Sequence, residues 1–167
     1  MTIDRIQLEA INLDLRKKMV ILTGPRQVGK TWLSKQVMKS YSNPLYLNYD
    51  AQPHRDVIIK RSWLEKTDLI VFDEIHKMTE WKNYLKGVYD TKHQNLHILV
   101  TGSARLETFR GIGDSLAGRF YSHKLFPLNL TELGDIQCLD DLLLTGEFPE
   151  PYTTNNEVES KRWRNQY

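Results

Sequence analysis

The sequence predicts a three-layer α/β domain, a mainly parallel five-stranded sheet with helices on both faces. Two observations predict it. Short apolar runs, several of them β-branched, alternate with segments of helical periodicity, as in a parallel sheet joined by crossover helices. Residues suited to chemistry sit directly after these runs, at the carboxyl ends of the strands, where open α/β sheets collect ligands.

Residues 3–15 place Ile3, Ile6, Leu8, Ile11, Leu13 and Leu15 among polar neighbours, which predicts an amphipathic helix leading into the core. Met19–Thr23 is an apolar run stopped by Gly24 and reads as a buried strand. Residues 30–40 lack Gly and Pro and carry Leu33, Val37 and Met38 at helical spacing. Residues 45–49 alternate apolar and polar, a second strand. A helix opened by Pro53 is expected over 53–66, and a third strand over 68–72 ending in Asp73-Glu74. Trp81, Tyr84, Leu85 and Val88 mark a helix over 81–89; 97–100 is a fourth buried strand, and 120–126 a fifth. A short helix over 139–144 is stopped by Gly146, Pro149 and Pro151, and a polar tail begins at Thr153.

The 167 residues suffice for one such domain, and 40% hydrophobic with 26% charged residues is an ordinary globular composition. A formal charge of +2 is too small to argue for nucleic acid, so that partner stays open. Cys138 is the single cysteine, which excludes an intramolecular disulfide and a cysteine-based zinc site. His54, His76, His93, His97 and His123 lack metal-ligand spacing. Trp32, Trp63, Trp81 and Trp163 read as core or interface aromatics, and Tyr46 and Tyr49 as sheet residues. The opening Met-Thr-Ile-Asp-Arg is not a signal pattern, and no apolar run approaches the roughly 20 residues that span a bilayer. A cytoplasmic protein with no membrane partner is the expectation.

Gly24-Pro25-Arg26-Gln27-Val28-Gly29-Lys30-Thr31 matches the pattern G-x-x-x-x-G-K-[ST], between a predicted strand and a predicted helix. A triphosphate carries about four negative charges, and inward-facing backbone N–H groups with a helix N-terminus can hold them. Gly24 and Gly29 permit the curvature and close approach. Lys30 is placed to reach the β- and γ-phosphates, and Thr31 to offer its hydroxyl to Mg²⁺. The competing reading is a chance glycine-rich turn, which the strand and helix context disfavours. The motif therefore predicts a P-loop domain that takes ATP with Mg²⁺.

Leu69-Ile70-Val71-Phe72 runs into two carboxylates. Asp73 is expected to hold Mg²⁺ through water, and Glu74 to orient or polarise the attacking water. By itself Asp-Glu after a strand is as well explained as a helix N-cap; the phosphate loop upstream reverses that order. The fourth strand ends in Thr101-Gly102-Ser103, hydroxyls that a strand inserted between the other two would set beside the γ-phosphate. Ser103 is the first choice for that sensing role and Thr101 the second, against simple capping of a turn. Arg105, Arg110 and Arg119 follow among Gly111, Gly113 and Gly118, a loop from which a guanidinium could support phosphoryl transfer; the competing reading is a solvated surface charge, and it is the favoured one for Arg105 and Arg110.

Five segments in order carry a resemblance: 24–31, Phe72-Asp73-Glu74-Ile75, Thr101-Gly102-Ser103-Ala104, Ser115-Leu116-Ala117-Gly118-Arg119, and Thr145-Gly146-Glu147-Phe148-Pro149-Glu150-Pro151. Together they resemble the AAA-type domain of prokaryotic AAA+ ATPases that carry a C-terminal domain of unknown function. The resemblance covers nearly the whole chain, and the last two segments are its most specific part. It implies a five-stranded parallel P-loop core with Asp73 and Glu74 in the acidic-strand roles and Ser103 in the sensor segment. Arg119 lies in the family's Ser-Leu-Ala-Gly-Arg element, and a contact with nucleotide or a neighbouring subunit is our inference from that place. The resemblance also implies a core over 1–137 and a short helical extension over 138–167 leading toward a missing C-terminal domain, with Arg162-Trp163-Arg164 starting the connection. Glu147 departs from the family, which has a second glycine there.

The leading functional expectation is an ATPase switch or motor, as a homo-oligomer or otherwise, acting on an attached domain or partner. The alternatives are a small-molecule or nucleotide kinase, with Arg105 to Arg119 as its lid, and a nucleotide-gated module that does not hydrolyse.

Overall fold

The computed structural model describes residues 3–103, 115–134, 138–154 and 156–167. Along the chain run α1 (Gln7–Leu15), β1 (Met19–Thr23), α2 (Lys30–Met38), β2 (Pro44–Asn48), α3 (Gln52–Lys60), β3 (Leu69–Asp73), a 3₁₀ turn (Ile75–Lys77), α4 (Trp81–Thr91), β4 (His97–Thr101) and β5 (Phe120–Lys124). Four helices follow: α5 (Leu130–Leu133), α6 (Cys138–Thr145), α7 (Pro149–Thr154) and α8 (Glu157–Gln166).

The five strands form one sheet in the order β2-β3-β4-β1-β5, every pairing parallel. β4 lies between β1 and β3, so the strand before the phosphate loop and the strand before the two carboxylates flank it. The period of two then sorts the side chains. Met19, Ile21, Ile70, Phe72, Ile98 and Val100 point to one core cluster, with Ile58, Leu85 and Val88 of α3 and α4. Val20, Leu22, Leu69, Val71 and Leu99 point to the other, with Ile11 and Leu15 of α1 and Leu33 and Val37 of α2. Burial of β1 and β3 at every position explains why their sequences are continuous apolar runs.

The predicted fold class is the observed one; some element bounds differ. The first helix starts at Gln7, not residue 3, because the preceding stretch carries the buried Arg5 into the domain instead. The 53–66 helix stops at Lys60, where Arg61 takes a left-handed conformation (φ 52°). Pro149 and Pro151 lie in the first turn of α7, where a missing N–H costs nothing, so they start a helix as well as end one. The polar tail holds α8, capped by the Asn156 side chain on the N–H groups of Val158 and Glu159. Its anchor is aromatic: Trp163 stacks on Tyr167 with centroids 4.8 Å apart, and both contact Phe148. Among the described residues no helix is long and apolar enough to cross a membrane.

Candidate nucleotide site

The turn between β1 and α2 is shaped by glycine and by one strained residue. Gln27 (φ 60°) and Gly29 (φ 97°) are both left-handed, and Gly29 is the N-cap from which α2 starts. At Gly24 (φ 153°) a Cβ would stand 2.4 Å from the backbone oxygen of Leu125. The Leu125 N–H is held by the Thr23 carbonyl at 2.8 Å, which keeps this segment against the loop. Gly24→Ala is therefore expected to destabilise by about 1–3 kcal/mol and to weaken nucleotide binding. A melting temperature equal to that of the wild type would refute the clash.

Lys30 is half-buried and folds back over the turn, donating to the carbonyls of Gly24 (3.0 Å) and Pro25 (2.5 Å). Burial lowers its pKa, while the Glu74 and Asp73 carboxylates act to raise it. The ammonium thus sits at the mouth of the loop, beside the positive end of α2.

Parity of the strands decides what meets Thr31. Asp73 and Thr101 face α2, as their neighbours Val71 and Leu99 do. Asp73 is buried. Its Oδ1 accepts from the Thr101 hydroxyl at 2.5 Å. Its Oδ2 accepts from the Tyr46 hydroxyl and faces the Thr31 hydroxyl at 3.5 Å. Burial, and next the hydrogen bond to Asp73, push the Tyr46 phenol well above its usual range, so it remains a donor. Thr31 and Asp73 are hard oxygen donors of the kind Mg²⁺ selects. Among the described residues no group of three or more His, Cys, Asp or Glu could hold a metal.

Glu74 leaves the strand in a left-handed conformation (φ 57°), its N–H held by the Thr101 carbonyl at 3.1 Å. Such a backbone costs a non-glycine residue about 1–2 kcal/mol and turns the carboxylate out of the sheet. Its Oε2 lies 3.5 Å from both His76 Nε2 and Lys77 Nζ, and Lys77 also pairs with Asp50 at 2.5 Å.

The other expected residues fall elsewhere. Thr101, the second choice at the fourth strand, is the hydroxyl that touches Asp73; Ser103 is half-buried two residues past it. Arg119 does not meet the loop of its own chain. Phe120 pairs with Met19, at the start of β1, whereas the loop leaves from its end at Thr23. With a rise of about 3.3 Å per residue, more than one strand length separates Arg119 from the loop of its own chain. It forks instead onto Asp90, at 2.8 and 3.1 Å. Arg105, Arg110, Gly111 and Gly113 lie outside the described residues.

Sequence reasoning missed Tyr46, which carried no signal beyond its strand pattern, and Arg5. Arg5 is buried beneath the loop, bonded to the Val28 carbonyl (3.0 Å), the Phe126 carbonyl and Glu132 Oε1 (2.7 Å). Glu132 in turn closes a capping box with Asn129 at the start of α5. Beside Arg5 and Gly29 opens a cavity of about 370 Å³, lined by Ile3, Trp32, Leu128 and Pro149 with Gln27 and Glu150 at its polar side. It falls within the size range of pockets that take small ligands.

A family model described as "AAA domain" matches residues 16–134. The chain belongs to that family. As an AAA domain of the prokaryotic AAA+ P-loop type, it is a nucleotide-binding, ATPase-like module. It is 32% identical over 159 residues to the uncharacterized protein Rv2008c of Mycobacterium tuberculosis, covering 91% of this chain and 34% of that one. Among solved structures it is similar to RuvB of Thermotoga maritima, with a TM-score of 0.64, 19% identity, and coverage of 98% of this chain and 62% of the other. It also resembles the ORC1 protein of Aeropyrum pernix, solved in complex with DNA, with a TM-score of 0.64, 13% identity, and coverage of 100% and 62%. At these identities the two structures establish the fold of the AAA domain alone. The chain spans about a third of the length of the curated relatives it matches.

Proposed function

We propose that this AAA domain binds a nucleoside triphosphate with Mg²⁺ and hydrolyses it, the hydrolysis acting as a switch or motor for an attached domain or partner. The observation that carries the reading is the meeting of Lys30, Thr31 and Asp73 at one end of the sheet. The amides of 24–31 and Lys30 cradle the phosphates, Lys30 exchanging the carbonyls of Gly24 and Pro25 for phosphate oxygens. Thr31 and Asp73 hold the metal, Asp73 through water. Mg²⁺ supplies neutralisation of the charge on the transferred phosphoryl group. Glu74 orients the attacking water, and Ser103 reports on the γ-phosphate. Arg119, remote from its own loop, acts on the site of a neighbouring copy. The cavity between Ile3, Trp32 and Pro149 receives the base.

The extension over 138–167 supports a role for an attached domain following a core over 1–137. Its α6 and α8 leave Leu139, Leu143, Leu144 and Val158 exposed, an apolar face such a domain would cover.

Calorimetry with ATP and Mg²⁺ tests the reading. Lys30→Ala is expected to bind roughly ten- to hundredfold more weakly, the loss of a charge-assisted contact to phosphate. Equal affinity of the two proteins, or no uptake by the folded wild type, would remove its basis.

A further inference from the structure

We propose that Tyr46 is a positioning residue of the metal site, its hydroxyl setting the Asp73 carboxylate in the orientation that receives the cation. The inference rests on the reading of the site as one for Mg²⁺ and a triphosphate.

Tyr46 stands on β2, the edge strand, and pairs with Val71, while Asn48 pairs with Asp73. Its Cα is therefore two residues back from the carboxylate, about 6.6 Å along the strand, a gap that a tyrosine side chain bridges when it leans forward. The ring packs against the cluster that holds Val71, Leu33 and Val37, on the face from which α2 brings Thr31. The hydroxyl then arrives at Asp73 Oδ2, within reach of the Thr31 and Asn48 side chains as well.

Two donors hold the carboxylate, one on each oxygen: Thr101 on Oδ1 and Tyr46 on Oδ2. A two-point hold fixes the plane of the group; a single donor leaves it free to turn. Thr31 does not replace the second point. At 3.5 Å its contact is too long to restrain the carboxylate. A threonine oxygen that gives a lone pair to a metal also has only one hydrogen to place. Tyr46 relieves Thr31 of holding Asp73 and so leaves that oxygen to the cation. Tyr46 differs from an ordinary core tyrosine in that its polar end meets a buried carboxylate.

The test compares Tyr46→Phe and Tyr46→Leu with the wild type in the full chain. ATP affinity is measured with and without Mg²⁺, and Mn²⁺ uptake in the presence of a non-hydrolysable ATP analogue is followed by electron paramagnetic resonance. Tyr46→Phe keeps the ring and its packing. It is expected to melt like the wild type, to bind metal-free ATP within about twofold of it, and to lose about tenfold of the enhancement that the metal confers. Tyr46→Leu should lose the same enhancement. A role in packing alone predicts a wild-type Phe variant and a defective Leu variant, and that result overturns the inference. So does an unchanged or stronger metal enhancement in Tyr46→Phe, with the reading of the site left standing. Failure of the wild type to bind ATP under either condition sinks both.

Discussion

Glu74→Gln is expected to bind ATP and Mg²⁺ within about twofold of the wild type while releasing phosphate roughly a hundredfold or more slowly, the usual scale for a lost general base. The substitution keeps the size and shape of the side chain, removes the charge and replaces one acceptor oxygen by an amide donor. The left-handed backbone at Glu74 depends on its N–H to the Thr101 carbonyl, which glutamine retains. Asp73, Thr31 and Lys30 are not altered, so the phosphates and the metal keep their partners. Single-turnover phosphate release is the direct measurement. Turnover at the wild-type rate would assign the water to another group. The contacts of Glu74 make a second comparison useful. His76 and Lys77 both stand 3.5 Å from its carboxylate. Lys77→Ala leaves Glu74 intact and is expected to change turnover far less than Glu74→Gln does.

Arg5→Ala is expected to show the largest loss of stability, about 3–5 kcal/mol, the scale for breaking one side of a buried ion pair. For a chain of this size that is a fall in melting temperature of roughly 6–20 °C. The Glu132 side chain is 0% exposed and would be left without its guanidinium partner. The carbonyls of Val28 and Phe126 would lose a donor together with it. Val28 belongs to the phosphate loop, so nucleotide affinity should fall as well. A double variant, Arg5→Met with Glu132→Leu, removes both charges and should recover much of the stability but not the donor to Val28. Thermal melts of the two variants decide the matter: equal losses in both would show that the ion pair is not the source.

Much of the fold was legible because the central strands β1, β3 and β4 are buried almost throughout. β1 and β3 are walled in by helices on both faces, so their residues are apolar throughout and stand out from any neighbour. The phosphate loop was legible for a related reason. Its curvature is a local property, written in Gly24 and Gly29 and in the strand and helix that flank them. α7 and α8 were harder. Prolines at a helix start look like prolines that end one, and α8 owes its place to rings on Phe148, Trp163 and Tyr167 that meet only after folding. Whether Arg119 faces its own loop was not legible, because a motif gives order along the sequence, not the end of the sheet at which a residue emerges. The parallel pairing of β5 with β1 decides that.

By itself the sequence determined the layered α/β class, the parallel sense of the sheet and the loop from 24 to 31, since apolar periodicity and glycine spacing act over a few residues. Only the tertiary structure decided what surrounds that loop. Arg5 reaches Glu132 across 127 positions and Tyr46 reaches Asp73 across 27. Such partners are chosen by strand order and by which face a side chain takes, and neither is set until the sheet has assembled.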